Sequence, residues 1–129
     1  MKYFDYLTNE QEMSLFYSPP ISFDYTMNKE LLAYAVGAAL YMPATRSSVA
    51  EDILKLKESG LVTVIIDLED AIGDGEVDHA EQSIIRHLAY LAAYAENGKD
   101  PRNSLPLIFI RVRNPEQLQQ LVFRLGSLT

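Results

Sequence analysis

The stretch VTVIIDLEDAI, residues 62–72, is a β-branched and apolar run that takes on three carboxylates, Asp67, Glu69 and Asp70, near its end. Side chains branched at Cβ are stiff at χ1 and pack well on a pleated surface, so the run reads as a strand. A strand apolar on both faces is covered on both faces, which is the mark of a parallel sheet between helices. Three acids at the mouth of such a strand must be solvated, paired or bound to something, because an unpaired buried carboxylate is costly.

Working outward, the chain repeats one unit around this strand. A helical KELLAYAVG begins after Asn28 and leads into a short strand, ALYMP, that Pro43 closes. SVAEDILKLKESG has Val49, Ile53, Leu54 and Leu56 near helical spacing and a glycine stop at Gly60. Strand LVTVIIDLE follows. DHAEQSIIRHLAYLAAYAENG carries Ile84, Ile85, Leu88, Leu91, Ala92 and Ala95 on one broad face and stops at Gly98, before the loop KDPRNSLP. Strand LIFIRVR and helix PEQLQQLVFRLG, with Pro115 in its first turn, complete the third unit. Alternating strands and helices of this kind predict an α/β fold with a parallel sheet covered by helices. Residues 1–30 differ: they are rich in Tyr and Phe and broken by Pro19 and Pro20, and Thr8 with Gln11 forms a capping-box pattern for a helix over 9–17. They read as an N-terminal aromatic arm, with the α/β units in 31–129.

Composition narrows the function. At 129 residues the chain is about one domain long, and at 48% hydrophobic it can bury a core. A net charge of −7 argues against nucleic acid and anionic membrane as partners. The absence of cysteine removes disulfides and thiolate metal sites and fits the cytoplasm. The apolar run LLAYAVGAALYM is far short of the roughly 20 residues that span a bilayer, and the polar start MKYFDYLTNEQ is no signal peptide.

Ligands of parallel α/β sheets sit at the carboxyl ends of the strands, and three stretches lie there. MPATRSS sets Arg46 beside Thr45, Ser47 and Ser48 at a helix entrance, which suits an anion; the plainer alternative is N-capping by Ser47 or Ser48 with a solvated arginine. In the second stretch, strand alternation puts Thr63, Ile65, Asp67 and Glu69 on one face. Ile66, Leu68 and Asp70 lie opposite if the strand persists. Carboxylates there can hold a metal, act as acid and base, or pair with arginines; the alternative is a turn starting at Asp70 with Asp67 capping backbone. In the third, FIRVRN, Phe109, Arg111 and Arg113 share a face. An arginine in an apolar strand needs an anion, supplied by Glu69 or Asp67 or by a substrate carboxylate.

Taken in this order, LYMPATR, VIIDLEDAI and IRVRN resemble the motifs of the citrate lyase β-subunit-like family, the HpcH/HpaI aldolase superfamily. The longer match, through LLAYAVGAALYMPATR to LPLIFIRVRNPEQL, is similar to the branch of TIM-barrel C–C bond lyases found in tellurite-resistance-type stress gene clusters. The resemblance implies the N-terminal portion of a (β/α)8 barrel and a Mg²⁺-dependent cleavage or condensation of a small oxo- or hydroxy-acid. By position, Arg111 grips the substrate carboxylate, Glu69 orients metal-bound water or substrate, and Asp70 is an acid–base candidate. Arg46 lies near the substrate or the phosphates of a thioester carrier. The sequence departs from the motifs at Ala44, where the family has glycine, and at Asp52, where it often has lysine, which counts against coenzyme A. Arg113 stands where asparagine is usual, adding positive charge to the pocket and to the substrate-binding set. The family's direct metal ligands, a Glu and an Asp on later strands, have no counterpart here.

A full barrel takes 200 residues or more. The expectation is therefore a piece of a longer enzyme, inactive as a lyase alone, whose uncovered strands favour homo-oligomers. Two other readings stay open: a small α/β regulatory module with a phospho-acceptor-like acidic cluster, and a non-catalytic oligomerisation module whose acids and arginines only pair with each other.

Overall fold

The computed structural model describes residues 1–101 and 103–127. It divides into two compact units, Met1–Ala35 and Val36–Thr129.

In the first unit, α1 (Asn9–Leu15) starts at the expected capping box. Thr8 Oγ1 accepts from the Gln11 N–H at 3.2 Å, and Gln11 Oε1 accepts from the Thr8 N–H at 2.9 Å. The helix ends at Leu15, two residues before the expected limit, where Phe16 turns extended. The second helix, α2 (Lys29–Ala35), begins after Asn28, whose side chain accepts the Glu30 N–H at 2.7 Å. Between the helices Phe23 is buried against Tyr3, with ring centroids 5.5 Å apart, and the N-terminal ammonium donates to the Phe23 carbonyl at 2.7 Å.

The second unit is an α/β arc. Its strands, β1 (Ala39–Pro43), β2 (Thr63–Asp67) and β3 (Leu107–Arg111), form a parallel sheet in that order. They alternate with α3 (Val49–Glu58), α4 (Val77–Glu96) and α5 (Pro115–Gly126), and a 3₁₀ turn at Asp74–Glu76 leads into α4. This is the expected set of three β/α units, with strands that follow one another in sequence lying side by side in one parallel sheet. Helix α3 stops as its sequence requires. Gly60 takes φ +97°, and the Leu61 N–H reaches back to the Leu56 carbonyl at 2.9 Å, a reversal that a side chain at residue 60 would disfavour.

The two faces of the sheet differ. Val64, Ile66 and Leu68 are fully buried and cluster with Met42, Ala44, Ile53, Ala80, Ile84 and Leu121 of the flanking strand and helices. Burial of one such side chain is worth about 1.5–3 kcal/mol, so this face supplies most of the unit's cohesion. The opposite face carries the register row Tyr41–Ile65–Phe109, in which Tyr41 and Phe109 remain about half exposed. In a closed barrel that face lines the interior. Helices α4 and α5 are joined by a polar contact too: Gln117 Nε2 donates to Glu81 Oε1 at 2.8 Å, both residues being buried.

Candidate active site at the strand mouths

All three strands end in one register row, Pro43–Asp67–Arg111. The ladder runs one step further, with the Ala44 N–H on the Asp67 carbonyl and the Leu68 N–H on the Arg111 carbonyl. Beyond that row the strands break. Both β2 and β3 are shorter than their apolar runs suggested: β2 ends at Asp67 rather than residue 69, and β3 at Arg111 rather than 113. A carboxylate at the end of β2 offers the backbone an alternative to the ladder, and Asp67 uses it by accepting the Glu69 N–H on Oδ1 at 2.7 Å. Glu69 and Asp70 therefore lie on a turn, and strand alternation no longer governs where they point.

That turn brings the acids to Arg111. Its Nε lies 2.5 Å from Glu69 Oε2, its Nη2 2.7 Å from Asp70 Oδ2, and its Nη1 3.6 Å from Asp67 Oδ2. Asp67 is buried, whereas the Asp70 side chain is 73% exposed. The hydrogen bond that Arg111 donates to Asp70, and then the charges of Asp70, Glu69 and Asp67, push its guanidinium above its ordinary pKa. The arginine thus stays charged wherever the acids are ionised. One cation faces three anions, so the mouth carries net negative charge.

Arg113, expected on the same face as Arg111, sits past the end of β3 and turns to the loop instead. Its Nε donates to the Leu68 carbonyl at 2.9 Å, its Nη2 to the carbonyls of Ile72 at 3.0 Å and Glu69 at 3.3 Å, and its Nη1 to Asp74 Oδ1 at 2.5 Å. Every nitrogen of the guanidinium has a loop partner. Sequence reasoning missed Asp74 and these carbonyls. Asp74 lies in GDG, which signals a turn and nothing more, and a carbonyl has no sequence signature.

At the β1 mouth Arg46 is remote from this cluster in its partners. Its Nε contacts Asp52 Oδ2 at 2.5 Å, and the Ser48 hydroxyl donates to the same oxygen at 2.7 Å. These bonds, the serine's first and the arginine's second, hold the Asp52 carboxyl below its usual range. Ser48 occupies the N-cap position of α3 but makes no capping bond; its hydroxyl has gone to Asp52.

Among the described residues no group of three or more His, Asp or Glu side chains is arranged to hold a metal ion. The three carboxylates of the mouth point their oxygens at Arg111, and this donor set does not fit direct coordination of magnesium.

A family model for C–C bond lyases of the TIM-barrel fold matches residues 30–129. The chain belongs to that family. Membership carries a lyase-type function and accounts for the arc: its three strands are successive barrel staves, and the Arg111 cluster lies at the face where TIM-barrel enzymes keep their chemistry. No curated protein and no solved structure matches the chain. No helix among the described residues of this C–C bond lyase family member is long and apolar enough to cross a membrane.

Proposed function

We propose that the strand mouths form the acid-binding half of a C–C bond lyase site of the citrate lyase β-subunit-like kind, acting on a small oxo- or hydroxy-acid. The observation that carries this reading is Arg111, a guanidinium in the last register row of a barrel strand with an exposed carboxylate on one of its terminal nitrogens. A guanidinium fork matches a carboxylate in two parallel hydrogen bonds. An incoming substrate acid takes the place of the Asp70 carboxylate, which is the most exposed of the three partners and the cheapest to move. Asp67 and Glu69 remain and keep the arginine oriented.

Displaced from Arg111, Asp70 is a free carboxylate beside the bound acid and serves as the acid–base group. In a retro-aldol cleavage a base takes the hydroxyl proton, the carbon–carbon bond breaks, and its electron pair passes into an enolate. Arg111 stabilises the charge that develops on the acid fragment. Glu69 orients the substrate from the other side of the guanidinium. Arg46 is held by Asp52 and takes a peripheral part, which favours a free acid over a coenzyme A thioester.

The test is calorimetric titration of the chain with oxaloacetate or pyruvate, with and without Mg²⁺, against Arg111→Met. Binding of the acid that Arg111→Met abolishes is the expected result. Binding of Mg²⁺ alone, with no acid binding, favours a phospho-acceptor-like module instead, and binding of neither favours a structural one.

A further inference from the structure

The loop that carries Glu69 and Asp70 has little backbone bonding of its own. Its middle, residues 69–72, has one long turn bond, from the Ile72 N–H to the Glu69 carbonyl at 3.5 Å, and the side-chain cap from Asp67; its ends are tied at Leu68, whose N–H meets the Arg111 carbonyl, and at Gly73, whose N–H donates to Glu76 Oε2 at 3.2 Å. What gathers its carbonyls is Arg113. Three of them, from Leu68, Glu69 and Ile72, converge on one guanidinium whose side chain is 25% exposed. The fourth partner, Asp74, is 94% exposed and adds little, since an ion pair in water is screened.

The clamp itself stands on a rigid base. The Arg113 N–H donates to Gln117 Oε1 at 2.7 Å, the Gln117 N–H donates to Asn114 Oδ1 at 2.8 Å, and Gln117 Nε2 reaches buried Glu81 on α4. The loop that bears two of the acids is thus tied through one side chain to the α4–α5 interface. No neutral side chain replaces this, because three carbonyls aimed at one point need a cation with several planar donors.

We propose that Arg113 is a positioning residue: by clamping residues 68–74 it sets where Glu69 and Asp70 stand against Arg111, and so controls the acid-binding mouth without touching the ligand. Its effect on ligand affinity rests on the function proposed above; its effect on the loop does not.

The experiment compares Arg113→Asn, Arg113→Lys and Asp74→Asn in the 129-residue chain. NMR follows solvent exchange of the Glu69 amide and the Arg111 Nε–H, with the Val64 and Ile66 amides as a reference for the sheet, and oxaloacetate is then titrated in. Loss of the charged bonds in Arg113→Asn speeds exchange at Glu69 and Arg111 by about ten-fold or more and weakens oxaloacetate by a similar factor. The reference amides stay as they were. Arg113→Lys, which keeps the charge but not the fork, falls between Arg113→Asn and the parent, and Asp74→Asn matches the parent. The proposal is overturned if Glu69 and Arg111 exchange stays within about two-fold of the parent, or if both Arg113 variants speed all amides alike, as a purely structural role would. If Arg113→Asn does not fold, Arg113→Lys decides by the same two signals. Should the parent bind no oxaloacetate, the functional reading fails while the exchange data still judge the clamp.

Discussion

The mouths of β1 and of β2–β3 hold similar residues and are built differently. At the β1 mouth an arginine, an aspartate and a serine bond within six positions of one another along the chain, around the start of one helix. At the β2–β3 mouth two arginines reach across 39 to 45 residues to acids and carbonyls on another strand's loop. The first arrangement survives wherever α3 is a helix. The second exists only when the sheet is in register, so it reports on the fold and can be disturbed by it.

The sharpest way to break the contrast is Arg111→Met. It removes the fork at the β2–β3 mouth, and affinity for oxaloacetate should fall by about a hundred-fold, measured by calorimetry. Arg46→Met at the β1 mouth should leave that affinity unchanged. Next in size, Arg113→Met unclamps the loop and leaves the sheet alone, so exchange of the Glu69 amide should speed by about ten-fold while the urea midpoint of unfolding stays close to the parent's. Arg46→Met should not shift the urea midpoint, because its pair is exposed and local.

A smaller effect has the opposite sign. Asp70→Asn frees Arg111 from its most exposed competitor, and oxaloacetate should bind about ten-fold more tightly. A loss of affinity on that substitution would mean that Asp70 holds the ligand rather than giving way to it.

The smallest effect is a pH dependence at the β1 mouth. The Asp52 carboxyl is depressed in the folded chain, so its pairing contributes stability above the ordinary carboxylate pKa and loses it as pH falls through the lower folded value. The window lies below about pH 4. Ser48→Ala removes the larger of the two causes and should raise the Asp52 midpoint toward the ordinary carboxylate value, read from its carboxyl carbon shift. The mutation should have no effect at neutral pH.

The fold was largely legible. ALYMP gave its strand end to end, with Pro43 as its last residue, and the capping box at Thr8, Pro115 and Gly60 marked helix ends through chemistry confined to a few neighbouring residues. Strand lengths were over-read at β2 and β3, because hydrophobicity continues past Asp67 and Arg111 while hydrogen bonding does not. The segment expected as a loop before β3 includes Arg102, which lies outside the described residues.

In the candidate site the residue types were legible and their pairing was not. Alternation placed Arg111 and Arg113 on one face, but two residues beyond the strand end were enough to send them to different tasks. The sequence by itself determined that acids and arginines gather at the strand mouths, because periodicity and turn residues act over neighbours and fix which end of each strand is which. Only the tertiary structure decided that Arg111 faces three carboxylates while Arg113 grips the loop behind them. Those partners are far apart in the chain, and the donors' destinations depend on register and on backbone carbonyls that no residue name encodes.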